Sequence, residues 1–181
     1  MKTKRTAPTG LAGFGLGYGL WRTWEAALDT LWQSIFGSPD LGPVEFATLK
    51  RRKSPNDALA CPREFCPEAQ PDFEPPVFSI PATRLRALVS EAALSEPGTA
   101  LVQSGKDQDR FLVRTRLMRY PDTVVAQVME KDQGHSTLAL YSRSQIGRSD
   151  FGVNRRRLER WVERIGTLAA RPDSARGSGS V

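Results

Sequence analysis

Apolar positions change their spacing along this chain, and each change marks a different kind of element. Trp21, Trp24, Leu28, Leu31, Trp32 and Ile35 recur every three or four residues, with Arg22, Glu25, Asp29 and Gln33 between them. A period near 3.6 predicts an amphipathic helix carrying a tryptophan-rich stripe. From Ser38 to Pro81 neither the helical nor the strand period is present, and prolines recur in "GSPDLGP", "SPNDALACP" and "CPEAQPDFEPPVF". Proline lacks an amide donor and fixes its backbone, so this stretch is expected to be an extended arm that wraps a surface or links two parts.

Regular patterning resumes at "PATRLRALVSEAAL", where Leu85, Leu88, Val89 and Ala92 share one helical face, Pro81 starts the helix and "SEPGT" ends it. Apolar runs bounded by turn residues follow: "TALVQS", "DRFLVRTRLM", "TVVAQVMEK" and "STLALYSRS". Their connections, "GKDQD", "RYPD" and "KDQGH", are short and polar, which predicts a four-stranded antiparallel meander. Alternation puts Phe111, Val113 and Leu117 on one face of the second strand and Arg114 and Arg116 on the other. With Arg143 from the last strand, the outer face is expected to be a solvated, arginine-bearing surface. A final helix presents Leu158, Trp161, Val162, Ile165 and Leu168 on one stripe, opposite Arg156, Arg160 and Arg164. Glu159 and Glu163 are spaced to pair with those arginines.

The expected fold is therefore α+β: a helix, a four-stranded antiparallel meander and a C-terminal helix, with both helices on the apolar face of the sheet. The expected organisation is an apolar and amphipathic segment over 1–37, a Pro-rich arm over 38–80, the α+β domain over 81–170 and a flexible polar tail over 171–181. A chain of 181 residues with 39% hydrophobic and 25% charged side chains has room for one globular core plus these extensions.

Charge adds a bias toward acidic partners. The net charge of +6 suits anionic lipid, nucleic acid or an acidic protein surface without choosing among them. No recognisable nucleic-acid module accompanies it, so nucleic acid is not the expected partner. Lys50, Arg51, Arg52 and Lys53 form a basic run whose default reading is a solvated face. Cys61 and Cys66 in "ACPREFCP" lack the further ligands a structural zinc needs and do not have redox C-x-x-C spacing. A local disulfide is favoured over two free thiols, provided the domain occupies an oxidising compartment.

The densest candidate for chemistry is "SRSQIGRSDFGVNRRRLERW", a strand-to-helix turn with arginines on both sides. Ser149 or Asp150 is placed to cap the helix. An alternative is a small-anion site made by exposed amides with Arg148, Ser149, Asp150, Asn154 and Arg155. A third is internal: Asp150 or Asn154 locks the turn against the Pro-rich segment. Catalysis has little support, because the only histidine, His135, falls in the "KDQGHS" hairpin. No metal-ligand spacing and no nucleotide-binding loop is present in the sequence, so neither a metal nor a cofactor is expected.

The stretches "SPNDALACP", "RTRLMRYPDTVVAQV" and "SRSQIGRSDFGVNRRRLERW" together resemble the bacterial domain of unknown function 1499 family, from about Ser54 to Ile165. The resemblance carries over no activity and no catalytic residues. It does imply an N-terminal membrane anchor or export signal. Here the stretch from Thr9 to Trp21 is too short to span a bilayer as a helix. Tryptophan rings suit the membrane–water boundary, and Lys2, Lys4 and Arg5 suit anionic headgroups. The expected function is thus that of a non-catalytic, membrane-associated envelope protein or an accessory subunit of a membrane complex. Its expected partner is a membrane surface or an integral membrane protein complex, met through Trp21, Trp24, Leu28, Leu31, Trp32 and Ile35, with the periplasmic side favoured.

Overall fold

The computed structural model describes residues 30, 31, 33–35, 37–114, 120–132 and 134–171. The chain divides into two units, Met1–Ser38 and Pro39–Val181. Within the first, Thr30, Leu31, Gln33, Ser34 and Ile35 are helical, and Leu31 and Ile35, one turn apart, are 55% and 61% exposed. Trp21, Trp24, Leu28 and Trp32 of the expected stripe lie outside the described residues.

The second unit is α+β. Its elements run β1 (Asp57–Ala60), α1 (Ala82–Leu94), β2 (Thr99–Ser104), β3 (Gln108–Arg114), β4 (Pro121–Asp132), β5 (His135–Ser144) and α2 (Val153–Ala169). All strand pairs are antiparallel, in the order β1-β5-β4-β3-β2. Strands β2 to β5 form the expected meander. The sheet has a fifth strand, though, and it comes from the Pro-rich arm: β1 adds to the far edge, with Asp57 opposite Arg143 and Ala60 opposite Leu140. Four residues between prolines are too few to display a period, which is why the pattern conceals it.

One face of the sheet packs on the helices. Phe111, Val113, Val124, Ala126, Leu138 and Leu140 meet Leu85, Leu88 and Val89 of α1 and Leu158, Trp161 and Ile165 of α2. Phe111 and Trp161 make an edge-to-face pair with centroids 5.6 Å apart, an arrangement worth about 1 kcal/mol beyond the area buried. The Trp161 indole N–H donates to Glu96 at 2.6 Å, so its burial strands no polar atom. At the start of α1, Glu130 on β4 accepts from the Ala82 amide.

The other face is not the solvated surface the alternation suggests. The arm covers it, building a second core from Phe46, Leu49, Leu59, Cys61, Cys66, Ala69, Val125, Ala139 and Tyr141. The outer-face arginines hold that cover in place. Arg110 makes a forked bond to Asp40, with its Nη2 2.9 Å from Oδ2, and Arg143 donates to the carbonyls of Leu41 and Gly42. Thr123 accepts from the Leu41 amide and Gln108 donates to the Val44 carbonyl. Cys61 and Cys66 form a disulfide within this layer. A chain with many prolines cannot satisfy itself by a ladder of its own, so side chains from the sheet supply the missing partners.

Candidate functional site

Two segments that carry candidate polar residues, "SPND" and "GRSDFGVN", meet at the end of β5. The Asp150 amide donates to the Pro55 carbonyl at 3.3 Å. Asn56 Nδ2 donates to the Gly147 carbonyl at 2.6 Å, while the Asn56 carbonyl accepts from the Ser144 amide and from Asn154 Nδ2. Gly147, with φ +102°, makes a bend that other residues rarely adopt.

Asp150 caps helix α2 from two residues further out than the simplest cap. Its Oδ1 accepts from the Gly152 amide at 2.9 Å and its Oδ2 from the Asn154 amide at 2.8 Å. Ser149 Oγ accepts from the Phe151 amide. The amides that a bound anion would use are therefore occupied by the protein's own carboxylate and hydroxyl. Arg155 turns to Glu159, 2.9 Å away, and Arg148 is exposed. Asn154 is wholly buried. The five residues expected to surround an anion thus fall into three environments: a cap, a buried bridge and exposed arginines.

Beneath the turn lies a polar core that periodicity alone does not announce. Arg157, almost fully buried, donates to Asp122 at 2.7 Å, to Asn154 Oδ1 at 2.6 Å and to Ser142 Oγ at 3.0 Å. Ser144 Oγ accepts from Asn154 Nδ2. One signal does exist: Arg157 precedes Trp161 by four residues and so shares its stripe.

Alongside β1 runs a second network. Asp57 Oδ1 accepts from Arg51 Nη2 at 2.8 Å, and Asp57 Oδ2 accepts from the Tyr141 hydroxyl at 2.5 Å and from the Arg52 amide. Arg51 also reaches Asp72 at 2.9 Å. Burial alone would raise the Asp57 carboxyl, but the bonds from Arg51 and Tyr141 outweigh it and hold the group below the usual carboxylate range. Burial, and then the Asp57 carboxylate, push the Tyr141 phenol well above its ordinary value. Such a phenol stays protonated and serves as a donor, not as a base. The basic run at 50–53 is thus partly structural. Arg51 is consumed internally and Arg52 donates to the Ser144 carbonyl, while Lys53 stays exposed. With Arg155 and Asp72 these residues line a shallow groove of about 610 Å³.

His135 begins β5 and Ser144 ends it, a separation of about 30 Å along an extended strand. The histidine pairs with Asp132 in its own hairpin. It is out of hydrogen-bond reach of Ser149. Among the described residues no group of three or more histidine, cysteine or acidic side chains is arranged to hold a metal.

No curated protein matches this chain. Residues 45–165, more than half of the chain, match the model of a family described as Protein of unknown function (DUF1499). That span takes in β1, α1, the whole meander, the capped turn and all but the last turn of α2, and it places the chain in the DUF1499 family.

Proposed function

We propose that this protein is a non-catalytic, membrane-associated envelope protein or an accessory subunit of a membrane complex, docking through its N-terminal tryptophan-bearing segment. The observation that carries the reading is the exposure of Leu31 and Ile35, one turn apart on the same helical face. Two aliphatic side chains aligned in this way extend, in sequence, a stripe of Trp21, Trp24, Leu28 and Trp32. Such a stripe is suited to lie in a membrane interface or against an apolar protein surface. No described helix is long and apolar enough to cross a membrane, and an interfacial helix needs no such length. The Cys61–Cys66 disulfide favours the oxidising, periplasmic side. Internal use of Asp57, Asp150 and Asn154 supports a structural role for the polar cluster and a non-catalytic one for the protein.

Flotation tests the reading. The full chain is expected to rise with vesicles containing phosphatidylglycerol, or to copurify with a complex from the native membrane fraction, and deletion of residues 1–37 is expected to abolish both. A full chain that stays monodisperse at the bottom of the gradient and copurifies with nothing overturns it.

A further inference from the structure

Phe151 is the most exposed large apolar side chain described, at 86%. It is also the only described non-glycine residue with positive φ, at +52°. That region of backbone space crowds the Cβ of an L-residue, and a bulky aromatic there is a true outlier. Nothing inside the fold compensates, since the ring touches almost nothing. The turn nevertheless holds it firmly. Asp150 on one side is bonded to Pro55 and caps the helix; Asn154 on the other is buried among Asn56, Ser142 and Ser144. An aromatic ring fixed outward on a braced turn is arranged to be buried by something outside the chain.

Its surroundings indicate what. Val153, two residues on at the start of α2, is also exposed. Arg148 precedes the ring by three residues, and the Arg156 guanidinium lies against Gly152, where an added Cβ would sit 3.1 Å from its Nη1. The Pro55 carbonyl bonded to Asp150 sets the Lys53 segment beside this turn, and Lys53 shares a groove with Arg155 of the helix that follows. The side chains of Lys53, Arg148 and Arg156 make no ion pair or hydrogen bond with other described residues. The acidic groups nearby are already used: Asp150 by backbone amides, Glu159 by Arg155, and Asp72 by Arg51. An apolar tip rimmed by uncompensated cations is complementary to a bilayer surface of anionic lipid, where the ring enters between headgroups and the cations meet phosphates.

We propose that the Phe151 turn is a second membrane contact: Phe151 and Val153 insert into the interface of an anionic bilayer while Lys53, Arg148 and Arg156 bind its headgroup phosphates. The proposal rests on the membrane reading above but uses different residues. Because Cys61 and Cys66 are bonded to each other, Phe151→Cys in the full chain gives one free thiol for an environment-sensitive fluorophore, and Leu94→Cys, exposed on α1, gives the control. On vesicles of phosphatidylethanolamine with one-quarter phosphatidylglycerol, the label at 151 should shift to the blue and be quenched by spin-labelled lipid. High salt should reverse both changes, and the label at 94 should not respond. Without any label, Phe151→Gly relieves the positive-φ strain, so it should keep the fold with a melting temperature no lower than the parent's, yet bind the vesicles about ten-fold more weakly. Arg148→Ala and Lys53→Ala should each weaken binding about five-fold. If the chain floats with these vesicles while the label at 151 stays in water, or if Phe151→Gly floats as well as the parent, the turn is no membrane contact, and docking through the N-terminal segment still stands. Preference for an acidic protein over every vesicle would overturn it equally, and so would a chain that floats with no vesicle; docking through the N-terminal segment falls as well only if that chain also copurifies with no membrane complex.

Discussion

Arg157 and Asp122 show how far a single residue can depart from the pattern around it. In "NRRRLERW" the spacing sets Arg156 and Arg160 opposite the apolar stripe, yet Arg157 between them is sealed beneath the turn with three polar partners. Burying a charge is tolerable only while those partners remain, so their value lies in what their loss exposes. Arg157→Ala is expected to destabilise the domain by about 3–5 kcal/mol, seen as a lower denaturation midpoint. The double change Arg157→Met with Asp122→Leu should recover much of that loss, because it removes both charges together. If the single and double variants denature together, the pair carries no such penalty. Hydrophobic spacing does reveal the neighbours of Arg157: Leu158, Trp161, Ile165 and Leu168 are all buried as expected. It does not reveal which member of an arginine run turns inward, since that depends on Asp122, more than thirty residues away in sequence.

At the level of elements, legibility follows length and period. α1, α2 and β3 each repeat long enough for a face to be recognised, and the other meander strands read as apolar runs between turn residues. Strand β1 does not, because "DALA" is four residues long and both of its faces are buried, one under the helices and one under the arm. For the same reason the outer sheet face reads as wet when only its own residues are considered. Arginines that alternate with apolar residues look solvated, and nothing in Arg110 or Arg143 announces that Asp40 and the carbonyls of Leu41 and Gly42 will return to meet them. The disulfide belongs to this layer. It closes a short loop, so in the chain-entropy view its removal should cost about 2 kcal/mol. Cys61→Ser with Cys66→Ser adds two hydroxyls to a buried cluster and should cost more than reduction alone. Denaturant titrations of the reduced parent and the double variant measure both, and equal midpoints for oxidised and reduced protein would remove the bond from the account.

The unit from Pro39 onward is a sheet between two unlike covers, helices on one side and a proline-rich arm on the other, and acid should separate them. A large apolar core holds the helical cover, with the buried Arg157–Asp122 pair beneath it, whereas the arm depends on carboxylate clamps as well as on a smaller cluster that includes Phe46 and Leu49. Asp40, where the Arg110 guanidinium outweighs burial, and Asp57, where Arg51 and Tyr141 do, are both held below the ordinary carboxylate range. A group whose folded value is depressed adds stability above its unfolded value, near 4, and loses it as pH falls through the folded value. Asp109, clamped by Arg86 on the helical side, follows the same rule, but it ties α1 to a hairpin and leaves the apolar core intact. Falling pH should therefore free the arm first. The amides of Leu59, Cys61 and Asp72, which bind within the arm layer, are expected to lose exchange protection below about pH 4 while α2 retains its own. Asp57→Asn should cost about 2 kcal/mol at neutral pH, in line with losing charge-assisted bonds, and should flatten the acid limb of the stability curve. Loss of protection in the arm and in α2 at one pH would show that the two covers unfold as one, and an unchanged acid limb in the variant would show that the clamp at Asp57 does not drive the transition.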